Sequence, residues 1–141
     1  MRYSEVFILS TSNICRLGAH NGTSGARAVL LAPVRELALQ TYKVVTEMCR
    51  FTDLTSAVLV GGDSMSVQFA ELSAAPDIIV ATPGRLLHHL SEVPGFTLKS
   101  VEHIVLDEAD RLFEMGLGSQ VRLRFPPVPS GHHTRWSELQ R

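Results

Sequence analysis

The stretch "VEHIVLDEADRLFEM" (residues 101–115) decides the fold. Its apolar run, "VEHIVL" (101–106), ends at Asp107, Glu108 and Asp110, and "EADRLFEM" (108–115) opens a helix. Carboxylates directly behind a buried strand sit on the tip of a stiff element. Such acids complement a helix dipole, or they meet a hard cation.

Upstream the same strand–turn–helix step recurs. "AVLLA" (28–32) is a continuous apolar run stopped by Pro33, as expected of a strand buried on both faces. In "VRELALQTYKVVTEMCRF" (34–51), Leu37, Thr41, Val44, Met48 and Phe51 step by three and four along one predicted helix face. "TSAVLV" (55–60) predicts a strand before Gly61-Gly62, and "MSVQFAELSAA" (65–75) a helix before Pro76. "DIIVA" (77–81) predicts a strand and "GRLLHHLSE" (84–92) a helix. Strand and helix alternate four times, which implies βαβ units, a parallel sheet and an α/β fold. Right-handed crossovers then put every strand's C-terminal end on one rim.

Composition bounds the rest. A chain of 141 residues with 45% apolar content holds one domain with a real core. The net charge of −1 does not advertise nucleic acid, although a basic patch can sit on a neutral protein. Arginine outnumbers lysine, with Lys43 and Lys99 the only lysines. Cys15 and Cys49 form no C-x-x-C, and residues 6–9, the longest early apolar run, are too short for a signal core or a membrane span. These features fit a soluble intracellular protein with reduced thiols. Residues 6–9 could form one short strand. "FPPVP" (125–129) stops any long helix, so residues 119–141 read as a loop-like tail. His88 and His89, adjacent on a helix, point about 100° apart. His132 and His133 have no acidic or thiol partner at ligand spacing.

Each predicted strand ends in a polar or glycine turn. These are Pro33-Val34-Arg35-Glu36, Gly61-Gly62-Asp63, Thr82-Pro83-Gly84-Arg85 and Asp107-Glu108-Ala109-Asp110. Taken singly, each has an ordinary structural reading as a turn, a helix start or an intra-domain ion pair. Together they occupy the carboxyl rim, where open parallel sheets bind ligands.

In this order the four turns resemble the DEAD-box RNA helicases, specifically the first of their two RecA-like domains. "APVRELALQ" is similar to the P-T-R-E-L-A element, "GG" to the Gly-Gly element, "ATPGRL" to T-P-G-R and "VLDEAD" to D-E-A-D. The resemblance covers residues 23–118, and "RLFEMG" is similar to the branch acting in the nucleolus on ribosome precursors. It implies a partial RecA-like (P-loop NTPase type) three-layer sandwich with a mainly parallel sheet. It also implies ATP and Mg²⁺ as cofactors and RNA as partner, with no membrane and a nuclear or nucleolar location.

The resemblance assigns roles residue by residue. Asp107 holds Mg²⁺ through water, Glu108 orients or deprotonates the attacking water, and Asp110 couples the site to a second domain. Arg35, Gly61, Gly62, Thr82, Pro83, Gly84 and Arg85 grip the RNA backbone without reading sequence. Glycine lets a backbone approach closely, the helix start at Gly84 attracts phosphate, and arginine offers a forked donor. For either arginine the ordinary alternative is an ion pair with an acid such as Glu36.

Departures matter as much. Val34 stands where the family has threonine and lacks its hydroxyl. No G-K-T phosphate loop, adenine-reading glutamine segment or S-A-T element occurs in the chain, and Lys43 and Lys99 cannot replace the phosphate lysine. The expectation is therefore a truncated or mis-spliced product lacking the P-loop strand and the second RecA-like domain. Its segments 1–22 and 119–141 diverge from the family, and the chain is inactive alone. A non-catalytic RNA- or helicase-binding module and a fragment that does not fold are the alternatives.

Overall fold

In a computed structural model, residues 25–116 are described. Four strands alternate with four helices: β1 (Ala28–Leu31), α1 (Arg35–Cys49), β2 (Ser56–Leu59), α2 (Met65–Ser73), β3 (Ile78–Ala81), α3 (Pro83–Glu92), β4 (His103–Leu106) and α4 (Ala109–Glu114). Every element anticipated between residues 28 and 115 is present, trimmed by a residue or two at one or both ends except α3, which starts one residue earlier, at Pro83. The strand expected at residues 6–9 and the tail at 119–141 lie outside the described residues.

All pairings are parallel, in the order β2-β3-β1-β4. The registers pair Leu31 with Ala81 and Leu106, and Leu59 with Ala81. The four strands therefore end level, and the four turns line one rim. At roughly 4.8 Å per strand the rim is about 14 Å wide. Along it the turns run 61–63, 82–85, 33–36, 107–110, so the acidic turn neighbours the start of α1.

Strand residues alternate between two cores. Ala28, Leu30, Ile78 and Val80 pack with Ala38 and Val45 of α1. Val29, Leu31, Ile79 and Ala81 pack with Leu86 of α3 and Leu112 of α4, with Leu72 of α2 beside them. Helices thus cover both faces in three layers. β1 and β3 are buried along their whole length, which explains their unbroken apolar sequence. β4 is half-buried throughout and ends the described sheet.

The face of α1 shares Leu37 and Thr41 with the expected one but is rotated from it. Ala38, Thr41 and Val45 are buried, whereas Val44 is exposed and Phe51 is 91% exposed. Apolar residues stand at 37, 38 and 39 and again at 44 and 45, so two stripes fit the helical period equally well. Packing selects the stripe with Ala38, whose small side chain lets the helix lie close to the sheet.

Candidate functional site

Three of the four turns are tied together by hydrogen bonds. Arg35, the first residue of α1, donates through Nη1 to the Gly61 carbonyl and through Nη2 to Asp63 Oδ1 at 2.8 Å. From the other side Arg85 donates to the Asp63 carbonyl at 3.2 Å and contacts Met65 Sδ. Both arginines therefore hold the same turn. The Asp63 hydrogen bond, despite some burial, keeps the Arg35 guanidinium pKa above its ordinary value. Glu36, the acid considered as its partner, adds only a smaller favourable charge.

The glycines differ in what they do. Gly62 has φ +89°, and a Cβ there would lie 3.2 Å from Arg35 Nη1. Among the described residues nothing lies within 4 Å of a Cβ placed at Gly61 or Gly84.

α3 begins with Pro83 at its first position, which suits proline's fixed φ and missing N–H. Thr82 is the N-cap residue, but its side chain makes no capping hydrogen bond. Its N–H continues the ladder to the Leu59 carbonyl. The free amides at this helix start face the same rim as the arginines. Val34 is the N-cap residue of α1, extended at φ −131° and ψ 156°, and valine has no oxygen to cap with.

The acidic corner stands beside these turns. The Asp107 N–H donates to the Leu31 carbonyl at 2.8 Å, which fixes the residue at the tip of β4. Its carboxylate accepts a long hydrogen bond from Thr41 of α1 at 3.4 Å. Burial, with the neighbouring Glu108 charge, pushes its carboxyl pKa up. Glu108 sits in the left-handed region at φ 48° and ψ 54°. Such a conformation costs a non-glycine residue about 1 kcal/mol or more, and it tends to persist at functional positions. Its carboxylate accepts from Arg111 at 3.0 Å. Asp110, in the first turn of α4, is exposed and stands apart from the arginine clasp.

Asp107 fits part of a Mg²⁺ site. Magnesium takes one or two carboxylates and completes its shell with phosphate oxygens and water. Among the described residues no group of three or more His, Cys, Asp and Glu could hold a metal ion. The sequence supplies no G-K-T loop to bring the phosphates, so the fit is incomplete and no hydrolytic step follows from these residues alone. No described helix is long and apolar enough to cross a membrane.

Sequence reading missed Asp63, Gln68 and His89. His88 is exposed and His89 fully buried, consistent with their divergent directions. His89 Nε2 lies 2.9 Å from Gln68 Oε1, and Gln68 Nε2 donates to the Val60 carbonyl at 2.8 Å. A polar pair split between two helices leaves no local signal in a single sequence. The available hint was the spacing of Arg85 and His89, four apart on one helical face.

Comparison with known proteins gives the same reading. A family profile described as DEAD/DEAH box helicase matches residues 4–131, running past both ends of the span that carries the motifs. "ATP-dependent RNA helicase ddx54" of Dictyostelium discoideum is 56% identical over 77% of this chain and 10% of its own length. "ATP-dependent RNA helicase DDX54" of Mus musculus is 52% identical over 84% and 14%. "ATP-dependent RNA helicase DBP10" of Chaetomium globosum is 51% identical over 84% and 16%. The chain thus spans between 10% and 16% of these relatives. The crystal structure of a hypothetical ATP-dependent RNA helicase from Sulfolobus tokodaii superposes with a TM-score of 0.73 at 30% identity, over 87% of this chain and 34% of that one. With the D-E-A-D, T-P-G-R, Gly-Gly and R-E-L-A turns level on one rim of a parallel RecA-like sheet, and a family match over most of its length, the chain belongs to the DEAD/DEAH box helicase family.

Proposed function

We propose that residues 23–118 are part of the first RecA-like domain of a DEAD-box ATP-dependent RNA helicase, and that this chain grips the backbone of single-stranded RNA without turning over ATP. The observation that supports this most is the clasp of Arg35 and Arg85 on the 61–63 turn, beside the open helix start at 82–85. Arg35, Gly61, Gly62, Thr82, Pro83, Gly84 and Arg85 form a run of donors and close-approach backbone that suits successive phosphates. Asp107 would hold a water-coordinated Mg²⁺ carried by ATP, with Glu108 beside the attacking water and Asp110 turned toward a second domain. The G-K-T and S-A-T elements that complete such a site are not among these 141 residues. A nuclear or nucleolar location is in keeping with the resemblance to the ribosome-biogenesis branch.

Fluorescence anisotropy with short oligouridylate and oligocytidylate tests this reading. Binding is weak and equal for both, falls linearly as log K against log salt, and does not respond to Mg-ATP. No binding at low salt would refute RNA gripping. RNA-stimulated ATP hydrolysis abolished by Asp107→Asn would refute the non-catalytic part.

A further inference from the structure

The ladder between β2 and β3 ends where the Thr82 N–H meets the Leu59 carbonyl. The next carbonyl, Val60, is fully buried and lies directly before Gly61-Gly62. It receives its hydrogen bond from Gln68, itself 2% exposed, at 2.8 Å. A carbonyl can only accept, so the Gln68 amide nitrogen points at Val60 and its oxygen points at His89. That oxygen can only accept, so His89 Nε2 carries the proton. Among the described residues the buried Nδ1 of His89 has no hydrogen-bond partner, so a second proton there would be unpaired, and His89 is the neutral tautomer protonated at Nε2.

This strut joins two parts of the rim from beneath. His89 stands one helical turn after Arg85 on α3. Arg85 meets Asp63 and Met65 at the surface, and His89 meets Gln68 in the interior. α3 thus grips the 60–68 segment at two levels. The chemistry at position 68 is constrained beyond its volume. An apolar side chain of equal size would leave the Val60 carbonyl and the His89 N–H buried and unpaired.

We propose that Gln68 and His89 are positioning residues of the RNA-gripping rim, a buried strut that fixes the Gly61-Gly62 turn against the helix start at 82–85. The inference rests on the RNA-gripping role proposed above. Neither residue touches RNA; each acts through the backbone it holds.

The test uses the full chain and short oligouridylate. Gln68→Leu lowers affinity about tenfold with no change in salt slope, because no phosphate contact is removed. His89→Gln, which keeps a donor for Gln68, binds as the unaltered chain does. Val45→Ala destabilises the core beneath α1 without removing a hydrogen bond of the strut, and leaves affinity unchanged. Where Gln68→Leu fails to fold, Gln68→Met is read instead, since it keeps the length of the side chain but loses the donor to Val60. Unaltered affinity in a folded Gln68 variant, or equal loss in Val45→Ala, overturns the proposal. An RNA-free arm follows backbone amide resonances. Those of Gly61, Gly62, Gly84 and Arg85 shift together in the Gln68 variant, whereas shifts confined to the immediate neighbours of residue 68 overturn the proposal. Absence of RNA binding in the unaltered chain refutes the function proposed above, and the amide arm still decides whether the strut positions the rim.

Discussion

Arg35 and Asp63, 28 residues apart in the chain, meet at 2.8 Å and tie the start of α1 to the turn after β2. The resemblance assigns Arg35 to RNA, and the ordinary alternative pairs it with Glu36. The observed carboxylate partner is on another turn of the rim, so the arginine organises the rim before any phosphate arrives. Both side chains remain more than a third exposed, at 37% and 41%, so the pair is open to water and salt.

Asp63 places a negative charge where RNA phosphate is proposed to sit. Asp63→Asn keeps an oxygen acceptor for Arg35 and removes the charge. RNA affinity should rise about threefold at low salt and converge with that of the unaltered chain at high salt. Anisotropy across a salt series checks this; a fall in affinity would show that the charge itself is needed.

Gly61 and Gly62 separate backbone from contact effects. Gly62→Ala forces an L residue to φ +89° beside Arg35 and should cost about 1–2 kcal/mol in denaturant unfolding. Among the described residues Gly61→Ala meets nothing within 4 Å and should stay within about 0.5 kcal/mol of the unaltered chain. Any RNA-binding loss in Gly61→Ala is then a contact effect.

Val34 already has the extended backbone of an N-cap but no capping oxygen. Val34→Thr supplies one and should stabilise the fold by about 1 kcal/mol. Denaturant midpoints with unchanged m-values provide the measurement.

His89 gives the fold a pH dependence. Burial, then the nearby Arg85 and His88 charges, hold its pKa below the ordinary histidine value of 6.5. The unfolded chain therefore binds more protons as pH falls below that value. The stability contributed by neutral His89 is fully present above about pH 6.5 and is lost as pH drops toward the folded pKa. Thermal melts should show this loss, and His89→Gln should remove that part of it.

Much of this was legible because one physical signal repeats. Short apolar runs stopped by Pro33, Gly61, Thr82 and Asp107 define strands, and parallel pairing forces their ends onto one rim. The side-chain partnerships were not legible. Arg35 could pair with any nearby acid, and only the β2-β3-β1-β4 order brings Asp63 to it. The helix face on α1 was displaced because Leu37 and Ala38 both fit the period, and packing against the sheet decides between them. Gln68 carries no signal of its own within the predicted 65–75 helix, and His89 reads only as half of a histidine pair, until the fold buries them together.

Amide chemical-shift mapping on addition of short single-stranded RNA tests the central claim most directly. The account predicts shifts clustered at Arg35, Gly61, Gly62, Asp63, Gly84 and Arg85, on the rim where the strands end. Shifts clustered at Arg27, Thr55, Asp77 and Glu102, on the edge where the strands begin, would contradict it.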